Sequence, residues 1–88
     1  MTKDANITEV QLQILTELGD TFGCELFFPP FNGSLNPFFD IEGIKDDAIK
    51  LRDFLVDIRK TGVFIRFARI KNKGMFLEIL SHAPYKDE

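Results

Sequence analysis

The clearest pattern in the chain runs from Ile44 to Leu80. The apolar positions Ile44, Ala48, Leu51, Phe54, Leu55 and Ile58 recur at helical spacing and predict one amphipathic helix from Ile44 to Lys60. Asp46 and Asp47 fall in its first turn and Arg59 and Lys60 in its last, each sign matched to the helix dipole. Gly62 then supplies a left-handed stop. Val63 to Lys71 and Met75 to Leu80 are rich in β-branched and aromatic residues, which predicts two strands. Asn72-Lys73-Gly74 between them suits a three-residue hairpin turn with Gly74 left-handed. That register pairs Lys71 with Met75 and Phe67 with Ile79. Val63, Ile65, Phe67, Met75, Leu77 and Ile79 then face the helix. The opposite face carries Phe64, Arg66, Ala68, Ile70, Phe76, Glu78 and Leu80, with Arg66 and Glu78 placed diagonally for a weak contact. It is too apolar for free exposure, so a strand, a loop or a second subunit is expected to cover part of it.

The first half of the chain reads in the same terms. Thr8-x-x-Gln11 matches a capping box, and Ile7 and Leu12 hold the two staple positions. Ile7, Val10, Ile14 and Leu18 form the expected buried stripe of a helix stopping near Gly19 or Asp20, with Leu15 at its edge. Gly23 to Phe28 predicts a strand, ended by Pro29-Pro30, which cannot donate to a ladder. Residues 29–37 form a loop around the turn pair Asn32-Gly33. Phe38 to Glu42 predicts another strand, Phe39 and Ile41 inward. The order α-β-β-α-β-β points to the α+β class: a two-layer sandwich of a mostly antiparallel four-stranded sheet with two helices on one face. Residues 1–88 read as a single small domain, with 1–6 and 83–88 as loosely held tails.

Composition narrows the function classes. A chain of 88 residues buries only ~60–65% of its unfolded surface, so its stability is modest unless a partner adds to it. No run is long enough to span a bilayer, and the polar start lacks a signal peptide's apolar segment. The lone Cys24 allows no internal disulfide and favours a reducing compartment, which reads as cytoplasmic. Charge is uneven. Residues 1–47 hold two lysines against nine acids, whereas residues 48–88 hold nine basic residues against five acids. Between positions 59 and 73 stand Arg59, Lys60, Arg66, Arg69, Lys71 and Lys73 without one acid.

Catalytic chemistry finds little to use. His82 is the only histidine and Cys24 the only thiol, so nothing orients a nucleophile–base pair. The six glycines stand singly at turns, which gives no phosphate-binding loop, and the ligands for zinc are wanting. The chain reads as non-enzymatic, with no cofactor and no metal.

Binding is the remaining class. Six of the ten Phe lie between residues 22 and 39, and Phe31 and Leu35 stand at the tip of the Phe/Pro-rich loop. Aromatic side chains bury much area for little lost entropy and make good anchors. Ile49 and Val56, seven apart, lie off the helix's main stripe among charged neighbours and mark a second contact face. The first expectation is therefore a cytoplasmic regulator, adaptor or inhibitor that binds another protein and forms a homodimer. Its contact residues are Phe31, Leu35, Ile49 and Val56, with Phe76 at a self-association face. The alternative is nucleic-acid binding through Arg59, Lys60, Arg66, Arg69, Lys71 and Lys73. A helix followed by a basic hairpin is similar to the recognition helix and wing of winged-helix proteins. A helix-turn-helix, however, needs a short helix just before the recognition helix, and residues 22–42 carry three prolines and period-two alternation there. Arg66 and Arg69 also point to opposite faces of their strand.

Overall fold

The computed structural model describes residues 7–82; the expected tails at 1–6 and 83–88 lie outside them. The elements are α1 (Glu9–Phe22), β1 (Leu26–Phe27), β2 (Phe38–Asp40), α2 (Ala48–Arg59), β3 (Phe64–Ile70) and β4 (Gly74–Leu80). The strands form one antiparallel sheet in the order β1-β2-β4-β3, and both helices lie on one face of it. This is the expected two-layer α+β arrangement.

α1 begins with the expected capping box. Thr8 Oγ1 accepts the Gln11 N–H at 3.0 Å, and Gln11 Oε1 accepts the Thr8 N–H at 2.9 Å. The buried stripe differs from expectation. Leu15 and Gly19 are buried, with Ile7, Leu18 and Phe22 packed beside them, while Val10 and Ile14 are exposed. Gln11 takes the place expected of an apolar residue, because its Nε2 donates to the Thr61 carbonyl after α2 at 3.0 Å. Nor does the helix stop at Gly19. A Cβ there would lie 2.5 Å from the Cys24 carbonyl oxygen and 2.9 Å from the Phe39 ring, so glycine is required for α1 to approach the sheet. The helix runs a turn further, to a left-handed cap at Gly23.

α2 is shorter than expected at its start. Asp47 is its N-cap, accepting the Lys50 N–H at 3.1 Å, and Ile44 sits buried in the turn before it. Phe54 and Ile58 pack against Leu15, Phe39, Leu77 and Ile79, and the Phe54 ring lies 4.9 Å from both Phe22 and Phe39. Ala48 is exposed.

The hairpin register is two residues away from expectation. Ile65 faces Ile79, and Phe67 faces Leu77. The turn residues are Lys71, Asn72 and Lys73: Asn72 takes the left-handed φ of 66°, and Lys73 N–H donates to the Ile70 carbonyl at 2.9 Å. Gly74 also has the expected positive φ, 111°, but pairs with Ile70 as the first residue of β4. Because side chains alternate with period two, a shift of two leaves every residue on its expected face.

Part of the outer face of the sheet, over β1, β2 and β4, is covered by the loop of residues 28–37. Phe31 and Ser34 exchange two backbone hydrogen bonds, 3.0 and 2.9 Å, across Asn32 (φ 52°) and Gly33 (φ 80°). Two successive left-handed residues are the type I′ turn that this pair favours. The turn folds Phe31 back onto the sheet, within 4.9 Å of Phe27, 5.1 Å of Phe38 and 5.4 Å of Phe76. Two expectations are thereby corrected. Phe31 is a half-buried part of a second core, not an exposed tip, and Phe76 is 2% exposed, so it offers no self-association face.

Candidate protein-binding surfaces

Three surfaces remain. The first is the outer side of α2. Ile49 is 65% exposed and Val56 42% exposed, two helical turns apart on one side. A groove of about 330 Å³ runs along the same helix, floored by Ala48, Leu51, Leu55 and Val56, with Arg52 and Arg59 at its rim. Arg52 and Asp53 lie side by side between the two apolar residues, their charges 3.2 Å apart. Ile49 and Val56 therefore form an open apolar strip on the outer side of α2.

The second surface is a groove of about 600 Å³ between the Asn32–Asn36 turn and the outer face of β3. Leu35, expected at a contact tip, is 54% exposed on its wall. Glu78 anchors the groove. Its buried carboxylate accepts the Ser34 hydroxyl at 3.1 Å, the Asn36 Nδ2 at 2.9 Å and the Arg66 Nη2 at 2.7 Å. Arg66 stands directly opposite Glu78 in the ladder, not diagonally, which makes this a charge-assisted bond instead of a weak contact. Burial alone pushes the Glu78 carboxyl up, but the hydrogen bonds from Asn36, Arg66 and Ser34 outweigh it and hold the group below the usual glutamate range. Asn36 Oδ1 is buried with no hydrogen-bond partner among the described residues.

The third surface, which sequence reasoning missed, is the free edge of β3. Phe64 and Phe67 are both exposed there although they project to opposite faces of the sheet. The missing knowledge was strand order. The sequence marks β3 as a strand but not as the outermost one.

The basic residues form no single patch: Arg66 and Arg69 both line the groove beside the Asn32–Asn36 turn, and the others lie apart from it. Arg66 is bound by Glu78, Lys60 lies 3.7 Å from Asp57, and Lys73 stands over the Phe31 ring at 5.2 Å from its centre. Arg69 lies on the opposite face of β3 from Arg66, and Arg59 lines the α2 groove. The stretch before α2 holds β1 and β2 and no helix, so the helix pair of a helix-turn-helix is not formed there. Cys24 is buried against the main core. Burial raises its thiol pKa, Asp40 raises it further, and Lys50 opposes in part. His82 Nδ1 contacts the Ser81 hydroxyl at 3.2 Å. Among the described residues no three His, Cys, Asp or Glu side chains gather as metal ligands, and no helix is long and apolar enough to cross a membrane. Compared with protein-family models, curated proteins and solved structures, the chain finds no match in any of the three.

Proposed function

We propose that this chain is a non-enzymatic protein-binding domain of a reducing compartment such as the cytoplasm, acting as a homodimer through α2. The observation that carries this reading is the exposed Ile49–Val56 strip. Its charge pattern supports a second copy as the occupant. If two α2 helices pack antiparallel about a twofold axis between residues 52 and 53, Ile49 meets Val56 of the second copy. Arg52 then meets the second copy's Asp53, and Asp46 is drawn toward its Arg59. A twofold interface requires this kind of self-complementarity. With two apolar residues per copy at its centre, the dimer is small and therefore concentration-dependent. The buried, single Cys24 supports the compartment.

Sedimentation velocity over a rising concentration series tests the reading. The chain should move from monomer to dimer, and Ile49→Asp should stay monomeric with an unchanged circular dichroism spectrum. Arg52→Asp should also weaken the dimer, and adding Asp53→Arg to it should restore association, since the swapped pair faces itself again. A chain that stays monomeric throughout, or an Ile49→Asp variant that dimerises normally, would sink the proposal.

A further inference from the structure

We infer that the free edge of β3 accepts an extended acidic segment of a partner protein as a fifth strand. The inference rests on reading the chain as a binding domain but uses a surface other than α2. It starts from backbone bookkeeping. Ile41 N–H donates to the Met75 carbonyl and Ile79 N–H donates to the Pro37 carbonyl, so the odd-numbered residues of β4 bond toward β2. The even-numbered ones therefore bond toward β3, where they meet Phe64, Arg66, Ala68 and Ile70. That leaves Ile65, Phe67 and Arg69 with their N–H and C=O groups turned to the open edge, and no described residue pairs with them there.

The sheet's two edges differ. β1 is two residues long and runs into Pro29-Pro30, both of which discourage a further strand. β3 has seven residues, no proline and no acid. Phe67, from this edge, is 53% exposed on the helix side of the sheet, next to the half-buried Ile65. A docked strand would cover Phe67 with every second side chain and satisfy three residues of backbone, which is how strand addition obtains both affinity and specificity.

Charge chooses the occupant. Arg69 and Lys71 make no ion pair among the described residues, and the whole stretch from Arg59 to Lys73 contains six bases and no acid. A second copy pairing β3 to β3 would bring no acid to Arg69 or Lys71, since β3 contains none. A partner segment with an apolar centre beside Phe67 and Asp or Glu toward the Arg69–Lys71 end meets the opposite sign.

The test uses the full chain, labelled with ¹⁵N, in the monomeric Ile49→Asp form and in the unmodified form. The probe is the blocked peptide Glu-Asp-Val-Thr-Val-Thr-Val-Asp-Glu, alongside a counterpart with lysine at every acidic position. Amide hydrogen exchange should find Ile65, Phe67 and Arg69 unprotected in the free chain and Phe64, Arg66 and Ala68 protected. The acidic peptide should slow exchange at the three odd positions only, and roughly half-molar salt should weaken the effect. Arg69→Glu, an exposed position, should lower affinity for the acidic peptide by ~10-fold or more and favour the lysine one. The inference is overturned if the odd amides are already protected in the free monomer, if raising the chain's own concentration protects them, or if the acidic peptide gives no protection. Equal binding of the lysine counterpart overturns it too. If α2 fails to dimerise yet the peptide protects the edge, only the dimer reading falls.

Discussion

At the scale of single residues, Glu78 decides most. It is the one buried carboxylate among the described residues, and three donors from two separate segments converge on it. Because its folded-state pKa lies below the ordinary glutamate value, the folded chain holds this proton less readily than the unfolded one. The sign follows: ionised Glu78 stabilises the fold fully above the ordinary range, ~4.3, and that contribution drains away as pH falls through it toward the lower folded value. Glu78→Gln keeps the shape but removes the charge, and should cost about 1–3 kcal/mol at neutral pH. It should also flatten the stability curve below about pH 5, where the unmodified chain loses ground. Urea denaturation of both proteins across an acid series measures this. Parallel curves for the two would show that Glu78 is not what titrates.

At the scale of elements, the loop over the outer face changes how its residues act. Phe31 was a natural candidate for a contact tip, since the run Phe27 to Phe39 reads equally well as plug or anchor. The type I′ turn at Asn32-Gly33 settles it by folding the Phe31 ring onto Phe27, Phe38 and Phe76. Phe31→Asp should therefore lose about 2–3 kcal/mol through lost ring packing, while the helical circular dichroism signal stays, because both helices pack on the other face. A variant as stable as the parent would place Phe31 in solvent. Periodicity served well for α2, whose Phe54 and Ile58 are at the centre of the core. It misled in α1, where Val10 and Ile14 mimic a stripe but Leu15 and Gly19 are buried. No count of apolar residues reveals that Gln11 is wanted by the Thr61 carbonyl, or that a glycine is wanted by its close neighbour Cys24. The side-chain faces of β3 and β4 were legible because they depend only on parity. The register was not, because Asn72 accepts a positive φ as Gly74 does, and both take one here. Of the candidate site, Ile49, Val56 and Leu35 were legible as exposed apolar residues. The open edge of β3 was not, since strand order is a property of the assembled sheet.

At the scale of the whole molecule, the sheet separates two hydrophobic layers of unequal size. Ten buried residues form the layer under the helices, and three form the outer layer under the loop. Hydrophobic stabilisation scales with apolar area removed from water, so the outer layer resists opening less. The loop can lift off while β2 and β4 remain paired, because its own hydrogen bonds are few. They are the Phe31–Ser34 pair, the Asn36 N–H to Ser34 Oγ bond and the side-chain bonds to Glu78, with the Ile79 N–H holding the Pro37 carbonyl at the loop's end. Native-state hydrogen exchange should therefore resolve two units. The Phe31 and Ser34 amides should exchange through a local opening roughly 2 kcal/mol or more below that of Ile41 and Ile79, whose N–H groups close the two ends of the β2–β4 ladder on the Met75 and Pro37 carbonyls. Acid should widen the gap, since protonating Glu78 releases the loop's anchor but leaves the layer under the helices intact. The denaturant dependence should be shallow for the first pair and steep for the second, as expected when less surface is exposed. If all four amides opened with one free energy and one slope, the two layers would be a single cooperative unit. The loop would then be as much a part of the core as the helices are.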